Sequence, residues 1–169
     1  TPASPSETRK VRLGTIHLSP SGGKTPRENL EMYRPYLAEA AKLDADLVCL
    51  GELITIKGLG LDYGEAAEPM PGPSTEFLGE IAKEHDFYIV AGLLERDSHL
   101  IYNVAALIGP DGELAGKYRK VTLPREEISK GICPGNDYPV FETRFGKLGM
   151  MVCYLSLIHI SEPTRLRSI

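Results

Sequence analysis

Three residues whose side chains support nucleophilic chemistry share one placement along the chain. Glu52 follows the apolar run LVCLG, Lys120 follows LAGKYR, and Cys153 follows LGMMV. Each therefore lies at or just beyond the carboxyl end of a predicted strand, which is the edge where α/β sheets usually build ligand sites. Taken singly, such residues are most often a solvated acid, a surface lysine and a core thiol. Their shared placement makes them a candidate catalytic set.

These residue types together favour acyl transfer through a covalent thioester. A cysteine attacks a carbonyl carbon well only as the thiolate, so it needs a base or a cation nearby. The Glu52 carboxylate could accept the thiol proton, and the Lys120 ammonium could stabilise both the thiolate and a developing oxyanion. A histidine is the alternative base, and among the candidates His17, His85 and His99 only His17, at the end of the first predicted strand, could face the same edge.

Alternating and apolar runs predict the strands that would position these residues. A buried strand over Leu47–Leu50 follows a helical segment, which indicates a layered α/β architecture. Asp111-Gly112 predicts a hairpin turn, and a second hairpin is predicted across Arg144-Phe145-Gly146. The predicted strands are Lys10–His17, Leu47–Leu50, Tyr88–Leu94, Ile101–Ile108, Leu114–Arg119, Val140–Thr143 and Lys147–Val152.

Two helices are predicted from capping signals and helical spacing. Thr25, followed by Pro26 and by Glu28, forms a capping-box pattern that begins a helix extending to about Leu43. Pro35 conflicts with that helix because it lacks a backbone donor, and it should either kink the helix or be accommodated near its start. The second helix is predicted over Ser74–His85, with Ser74 as its N-cap.

Composition and charge limit the possible partners. The chain has 169 residues, enough for one domain, and its net charge of −4 gives no electrostatic reason to expect nucleic acid or anionic lipid. No apolar run approaches the roughly 20 residues that span a membrane. The three cysteines are scattered without metal-ligand spacing, so we expect neither a zinc site nor disulfides, and a reducing, cytoplasmic compartment.

The motifs around the three candidates resemble those of the nitrilase or carbon-nitrogen hydrolase superfamily. The stretches DLVCLGE, GKYRKVTLP and FGKLGMMVCY occur in the family's order, supported by PMPGPST, YNVAALIGPDGELAGKYRK and PGNDYPVFET. The resemblance extends from about Lys10 to Tyr154. The chain departs from the usual pattern at Gly51, where the family commonly has Pro, and at Thr122, where His is common.

The resemblance implies an α/β fold, the nitrilase-type αββα sandwich, of which only about the first half is present. It implies hydrolysis of a nonpeptide C–N bond in a small amide, N-carbamoyl compound or nitrile, with Cys153 as nucleophile, Glu52 as general base and acid, and Lys120 stabilising the tetrahedral intermediate. A second glutamate is expected at Glu127, although Glu126 and Glu127 could equally form a solvated acidic turn. No metal or organic cofactor is implied, and the full-length protein is expected to form a homo-oligomer. The loop motifs lean toward N-carbamoyl or ω-amide hydrolysis.

The family pattern stops after Tyr154. Leu155 stands where the family has Asp, and the segment LSLIHISEPTR back-translates into one continuous frame that resembles a transposon-end sequencing adapter. We therefore expect three parts: a flexible segment over residues 1–9, a partial hydrolase domain over residues 10–154, and a non-native tail over residues 155–169. A fragment of this kind is expected to be inactive by itself.

Two other functions are compatible with the sequence. A binding or scaffold protein on the same fold, without catalysis, is supported by Gly51, Thr122 and the interrupted pattern. A cysteine acyltransferase would use His17 as the base for Cys153. The three hypotheses differ in whether Glu52 and Lys120 are needed for activity.

Overall fold

The computed structural model of the protein describes residues 10–19 and 23–153, so the predictions for residues 1–9, for Tyr154 and for the 155–169 tail lie outside it. No helix within these ranges is long and apolar enough to cross a membrane. The described elements, in chain order, are β1 (Leu13–Ile16), α1 (Pro26–Glu31), α2 (Arg34–Lys42), β2 (Leu47–Leu50), α3 (Tyr63–Ala66), α4 (Pro73–His85), β3 (Tyr88–Asp97), β4 (Leu100–Ile108), β5 (Leu114–Arg119), α5 (Arg125–Ser129), β6 (Val140–Thr143) and β7 (Gly146–Gly149).

The first five strands form one mixed sheet in the order β1-β2-β3-β4-β5. β1, β2 and β3 are parallel, and helices α1 to α4 supply the crossovers that parallel neighbours require. β4 is antiparallel to both β3 and β5. The predicted turn between β4 and β5 is confirmed, since the Gly109 N–H donates to the Glu113 carbonyl oxygen over 2.8 Å. The predicted α/β architecture is therefore present.

Helices α1, α2 and α4 cover one face of this sheet and form the main core with it. Alternate residues of β2, β3 and β4 belong to this core, as expected of side chains that share one face of a sheet. The fully or almost fully buried members of this core are Leu30, Tyr33, Leu37, Val48, Leu50, Ile54, Phe77, Leu78, Ile81, Ala82, Phe87, Ile89, Ala91, Leu93, Ala106 and Ile108.

The predicted single helix from Pro26 to Leu43 is two helices in the structure. The Thr25 cap is confirmed, because its Oγ1 accepts from the Glu28 N–H over 3.2 Å. α1 nevertheless ends at Glu31, and α2 begins at Arg34 with Pro35 in its first turn. Proline has no N–H to continue the preceding helix but suits a first turn, where that donor is not needed. Pro35 therefore begins a new helix rather than kinking one.

The N-cap predicted for α4 was wrong by two residues. Gly72, not Ser74, is the cap, because Pro73 occupies the first helical turn. The Gly72 N–H donates to Thr75 Oγ1 over 2.9 Å, and that hydroxyl donates back to the Gly72 carbonyl oxygen. The Ser74 N–H is satisfied instead by the Glu68 carboxylate at 2.9 Å.

The opposite face of the five-stranded sheet packs against the chain that follows α5. β6 and β7 form a separate two-stranded antiparallel sheet, which confirms the second predicted hairpin. The predicted strand was too long, however, because β7 ends at Gly149, opposite Val140 at the start of β6, and residues 150–152 have no ladder partner in the described part of the chain. Met150 and Val152 pack instead against Ala105 and Tyr118.

A glycine in β3 allows the turn after β2 to approach the sheet closely. The Gly92 N–H donates to the Gly51 carbonyl oxygen over 3.1 Å, and the Ile54 N–H donates to the Gly92 carbonyl oxygen over 3.0 Å. A Cβ on Gly92 would lie 2.5 Å from the Cα of Glu52. Only a residue without a side chain fits at this position, so Gly92 determines where the backbone of Glu52 lies.

Replacing Gly92 with alanine is expected to lower the free energy of unfolding by about 1–3 kcal/mol, because the added methyl must displace backbone atoms of the Glu52 turn. Chemical denaturation of the complete gene product measures this change. Gly14→Ala is the matched control, since a Cβ there would make an ordinary contact at 3.5 Å with Val48. Equal losses in the two variants would contradict the steric explanation.

Candidate active site

Glu52 lies in the turn directly after β2, at the carboxyl end of the parallel strands. The backbone hydrogen bonds of Gly92 hold this turn against β3. The following residue, Leu53, has a φ of 52°, a left-handed conformation that reverses the chain sharply. The Glu52 carboxylate consequently points back over the end of the sheet, where its hydrogen-bond partners are Lys120 and Asn103.

Lys120 follows β5 and continues its pairing with β4. Its N–H donates to the Asn103 carbonyl oxygen over 2.8 Å, and its own carbonyl oxygen accepts from the Gly135 N–H over 2.9 Å. The side chain is completely buried, with 0% exposure. A lysine is almost never buried this fully without charged partners. Its burial therefore agrees with the expectation from the sequence that Lys120 is not an ordinary surface lysine.

The structure distinguishes the two acidic residues that the sequence left open. Both lie in the first turn of α5, but Glu126 is exposed whereas the side chain of Glu127 is only 12% exposed. The Glu127 carboxylate points inward and accepts from the Lys120 ammonium over 2.6 Å. Glu127 is therefore the member of the pair that joins the cluster, and Glu126 remains a solvated residue.

The four side chains form a closed hydrogen-bonded ring. Lys120 Nζ lies 2.8 Å from Glu52 Oε1 and 2.6 Å from Glu127 Oε1. Asn103 Nδ2 lies 2.7 Å from Glu52 Oε1 and 3.3 Å from Glu127 Oε2. The cation and the neutral amide thus each donate to both carboxylates. The sequence analysis missed Asn103, and the available signal was one amide side chain within the apolar run of β4.

Cys153 completes the group by a hydrogen bond to Glu52. It was expected directly beyond a strand, but three residues separate it from the end of β7, and its φ is 44°. Val152, its buried neighbour, packs on the face of the sheet opposite the helices, which directs the backbone at residue 153 toward Glu52. Cys153 therefore reaches the site from a non-strand segment rather than from the end of the five-stranded sheet.

The charges of the ring set the protonation states. Burial alone raises the pKa of Glu52, but hydrogen bonds from Lys120 and Asn103 outweigh it, so the pKa lies below its ordinary value. Burial lowers the pKa of Lys120, and its bonds to Glu127 and Glu52 outweigh that effect, so the pKa is raised. Burial and the charge of Glu52 raise the pKa of Cys153. Near neutral pH the resting site holds a carboxylate, an ammonium and a protonated thiol.

Two cavities meet at Glu52. The smaller, of about 190 Å³, is bounded by Cys153 and Glu52. The larger, of about 450 Å³, is lined by Glu52, Glu127, Lys57 and Lys130 among others. The larger volume is that of a pocket for a small organic molecule. Within residues 10–19 and 23–153, no group of three or more His, Cys, Asp or Glu side chains could hold a metal ion.

The alternative base, His17, does not border the cavity that is lined by Cys153 and Glu52. It follows β1, the edge strand beside β2, and it is exposed. Glu52, by contrast, shares a hydrogen bond and a cavity wall with Cys153. The geometry thus favours Glu52 as the acceptor of the thiol proton.

Comparison with known protein families identifies the same family that the sequence motifs resemble. The sequence profile of the carbon-nitrogen hydrolase family matches residues 17–157, a range that includes Glu52, Lys120, Glu127 and Cys153. The chain belongs to the carbon-nitrogen hydrolase family. The resemblance stated from the sequence is therefore confirmed.

Curated carbon-nitrogen hydrolase relatives match most of this chain. Omega-amidase NIT2 of Xenopus tropicalis is 36% identical over 154 residues, which are 86% of this chain and 55% of the relative. Omega-amidase NIT2 of Homo sapiens is 34% identical over 152 residues, 85% of this chain and 54% of the relative. Beta-ureidopropionase of Arabidopsis thaliana is 34% identical over 164 residues, which cover 86% of this chain and 40% of the relative. The chain spans about half the length of the curated relatives it matches.

Solved structures of the family share the fold. A carbon-nitrogen hydrolase from Helicobacter pylori G27 superposes with a TM-score of 0.71 at 25% identity, over 85% of this chain and 51% of that one. Saccharomyces cerevisiae Nit3, a member of branch 10 of the nitrilase superfamily, gives 0.72 at 28% identity, over 85% and 55%. The predicted nitrilase-type fold, with about half of it present, is confirmed.

Removing the buried cation should destabilise the protein in a pH-dependent way. Because the Glu52 pKa is lowered, its ionic contribution to stability is complete above the unfolded carboxyl pKa of about 4.3 and is lost as pH falls through the folded value. Lys120→Met leaves the partly buried Glu52 and the buried Glu127 carboxylates without their cation, so we expect a loss of about 3 kcal/mol near neutral pH.

That loss should shrink as the pH approaches about 4.3, since the variant's carboxyl groups then bind protons in the folded state. Urea denaturation of the complete gene product at several pH values measures it. Lys42→Met, which removes an exposed pair with Glu39, is the control and should change stability by less than about 1 kcal/mol. A pH-independent loss in Lys120→Met would contradict the assigned charges.

Proposed function

We propose that the protein hydrolyses a nonpeptide C–N bond of a small amide through a thioester on Cys153. The observation that supports this most directly is that Glu52 hydrogen-bonds both to Cys153 and to the fully buried ammonium of Lys120. One group beside the thiol can thus accept a proton while a fixed positive charge lies next to it. This is the arrangement that thiol-dependent acyl transfer requires.

In the first step, the Cys153 sulfur attacks the amide carbon while its proton moves to Glu52. The new C–S bond pushes the carbonyl electron pair onto oxygen, and the resulting oxyanion needs a donor. An ammonium has three N–H groups, and the two carboxylates accept from Lys120. The remaining N–H is available to stabilise the oxyanion, which is the role we assign to Lys120.

The intermediate then collapses, and Glu52 returns the proton to the leaving nitrogen as the C–N bond breaks. Ammonia or an amine departs and leaves an acyl group on Cys153. Glu52, ionised again, takes a proton from water as that water attacks the thioester, and the proton passes to the sulfur when the acid is released. The two half-reactions thus use one carboxylate alternately as base and acid.

Glu127 supports the reaction through Lys120. It accepts from the ammonium over 2.6 Å, slightly shorter than the 2.8 Å bond to Glu52. As Glu52 takes up the thiol proton, its negative charge disappears and its attraction for the ammonium weakens. The Glu127 carboxylate keeps Lys120 charged and in place during that interval. We therefore assign Glu127 to holding the cation rather than to proton transfer.

The larger cavity indicates the kind of substrate. Two basic residues, Lys57 and Lys130, line it together with the acidic pair Glu52 and Glu127. A Cβ on Gly51 would lie 3.4 Å from Lys57 Nζ, so the glycine leaves room for this cation beside Glu52. The relatives include proteins named omega-amidase and beta-ureidopropionase. We infer that the substrate is an amide or N-carbamoyl compound with a carboxylate at its far end.

The catalytic protein also requires the part of the fold that this chain does not contain. Its matched relatives are nearly twice as long as the matched region. We propose residues 10–154 as the first part of the hydrolase domain and expect a homo-oligomer of the complete protein. Activity is therefore tested in the complete gene product.

Substitution of the proposed catalytic residues should abolish or strongly reduce ammonia release. We expect no turnover in Cys153→Ala, about 10²–10⁴-fold lower kcat in Glu52→Gln, and about 10²–10³-fold lower kcat in Lys120→Met. A panel of amides, N-carbamoyl compounds and nitriles provides the assay, and mass spectrometry of quenched enzyme detects the acyl group on the Cys153 peptide.

Cys49→Ala is the matched control, because Cys49 borders the same cavity as Cys153 and should be dispensable. Activity that survives all three substitutions would disprove the assignment. Activity that depends on His17 but not on Lys120 would favour an acyltransferase, and no turnover of any compound would favour a noncatalytic binding protein.

Substrate charge should determine the effect of Lys57. Lys57→Met is expected to raise KM about tenfold for an amide with a terminal carboxylate, because it removes a charge-assisted contact, while kcat changes little. The uncharged analogue of the same length should show the parent KM. Steady-state kinetics with the two substrates make the measurement, and an equal rise in KM for both would refute a carboxylate contact.

A further inference from the structure

Asn103 is the member of the ring that carries no charge and has no role in the proposed reaction. It lies in β4 with 0% exposure, and its amide nitrogen donates to Glu52 over 2.7 Å and to Glu127 over 3.3 Å. An amide nitrogen has two hydrogens, so each carboxylate receives one of them. Both N–H groups of the side chain are therefore donated to the two acidic residues of the site.

The carboxylates determine the orientation of this amide. An ionised carboxylate only accepts hydrogen bonds, so the NH₂ group must face Glu52 and Glu127 and the oxygen must face away. The oxygen, Asn103 Oδ1, is buried and has no hydrogen-bond partner in the described part of the structure. A buried acceptor without a partner is unfavourable. The two hydrogen bonds donated by the amide nitrogen are therefore the reason for an asparagine at this position.

The neutral amide of Asn103 restricts the orientation of the two carboxylates in a way that Lys120 alone does not. The ammonium binds Oε1 of each glutamate, and its donors can be rearranged by rotation about the terminal bond. The planar amide gives each carboxylate a second donor, on the same oxygen of Glu52, Oε1, and on the other oxygen of Glu127, Oε2. Both bonds to Glu52 are on Oε1, so Oε2 accepts from neither residue. A third charged donor would instead have stabilised the Glu52 carboxylate further and made it a weaker base.

We propose that Asn103 is a positioning residue that holds the carboxylates of Glu52 and Glu127 in the arrangement needed for proton transfer from Cys153. The proposal rests on the proposed function in its use of Glu52 as the base. The Asn103 backbone also contacts the site, because its carbonyl oxygen accepts from the Lys120 N–H over 2.8 Å. Substitution of the side chain leaves this backbone bond in place, so the effect of the side-chain amide can be measured separately.

The pH dependence of kcat/KM in a substitution series tests the proposal. Asn103→Leu removes both donors without adding charge, so kcat should fall about 10–100-fold and the acid limb should move up by about one pH unit. Asn103→Asp places a third carboxylate beside the pair, so its acid limb should move further up than that of the leucine variant. An unchanged acid limb in both variants would overturn the proposal.

Asn29 provides a matched control for the loss of a buried amide. It is also 0% exposed, its Nδ2 donates to the carbonyl oxygens of Thr55 and Lys57 over 3.0 and 2.9 Å, and its Oδ1 is likewise unpartnered in the described structure. Asn29→Leu should lower thermal stability but leave the acid limb at the parent pH. An equal shift of the acid limb in both leucine variants would show a structural effect and refute the proposal.

A measurement without turnover separates this proposal from the proposed function. In the Cys153→Ala background, NMR of ¹³C-labelled glutamate follows the titration of the Glu52 carboxyl group. Asn103→Leu should raise its titration midpoint, whether or not any amide is hydrolysed. An unmoved midpoint would overturn the role of Asn103, whereas a moved midpoint in an enzyme without amidase activity would refute only the proposed function.

Asn103→Ser covers the case in which the leucine or aspartate variant does not fold. The smaller side chain removes the planar amide without overpacking the strand, and its acid limb is expected between those of the parent and the leucine variant. Should all three variants fail to fold while Asn29→Leu folds, the proposal is refuted, because the fold rather than the site would then need Asn103.

Discussion

The buried ammonium of Lys120 is the interaction on which the arrangement of the site depends. A charge removed from water is stable only when opposite charges and hydrogen bonds replace the solvent. Glu52 and Glu127 supply both, and they come from different parts of the fold: the turn after β2 and the first turn of α5. Any movement of these elements away from the end of β5 would leave a buried charge unpaired. The ion cluster therefore fixes the relative positions of three segments.

The same cluster explains how a thiol can remain unreactive until substrate binds. Lys120 and Asn103 lower the pKa of Glu52, while burial and the Glu52 charge raise that of Cys153. Proton transfer from the thiol to the carboxylate is consequently unfavourable at rest. In the proposed mechanism it becomes favourable only when the new C–S bond consumes the thiolate and the oxyanion gains the ammonium as its partner. The proposed mechanism thus couples deprotonation to attack instead of storing a thiolate.

The sequence predicted the parts of this site that follow continuous apolar runs. Glu52, Lys120 and Cys153 follow such runs, and the family resemblance adds Glu127, so all four could be named before the structure. Asn103 could not, because a single amide in an apolar strand does not reveal whether it faces solvent, core or site. The break at Pro35 and the early end of β7 were missed for a related reason. Local sequence patterns do not show where one helix ends and a second begins, or where a strand no longer has a neighbouring strand to pair with.

The sequence separations within the ring have a consequence for folding. Lys120 and Glu127 are seven residues apart, and Asn103 lies on the hairpin neighbour of the strand that precedes Lys120, whereas Glu52 is 68 residues from Lys120. Closing a short loop costs little chain entropy, while joining β2 to β3 in parallel requires long-range closure. A chain with only β3 to β5 and α5 assembled would therefore already neutralise its lysine with Glu127. In that order of assembly the ammonium would be paired with Glu127 before Glu52 arrives, so the lysine would not lose its water without a counter-charge.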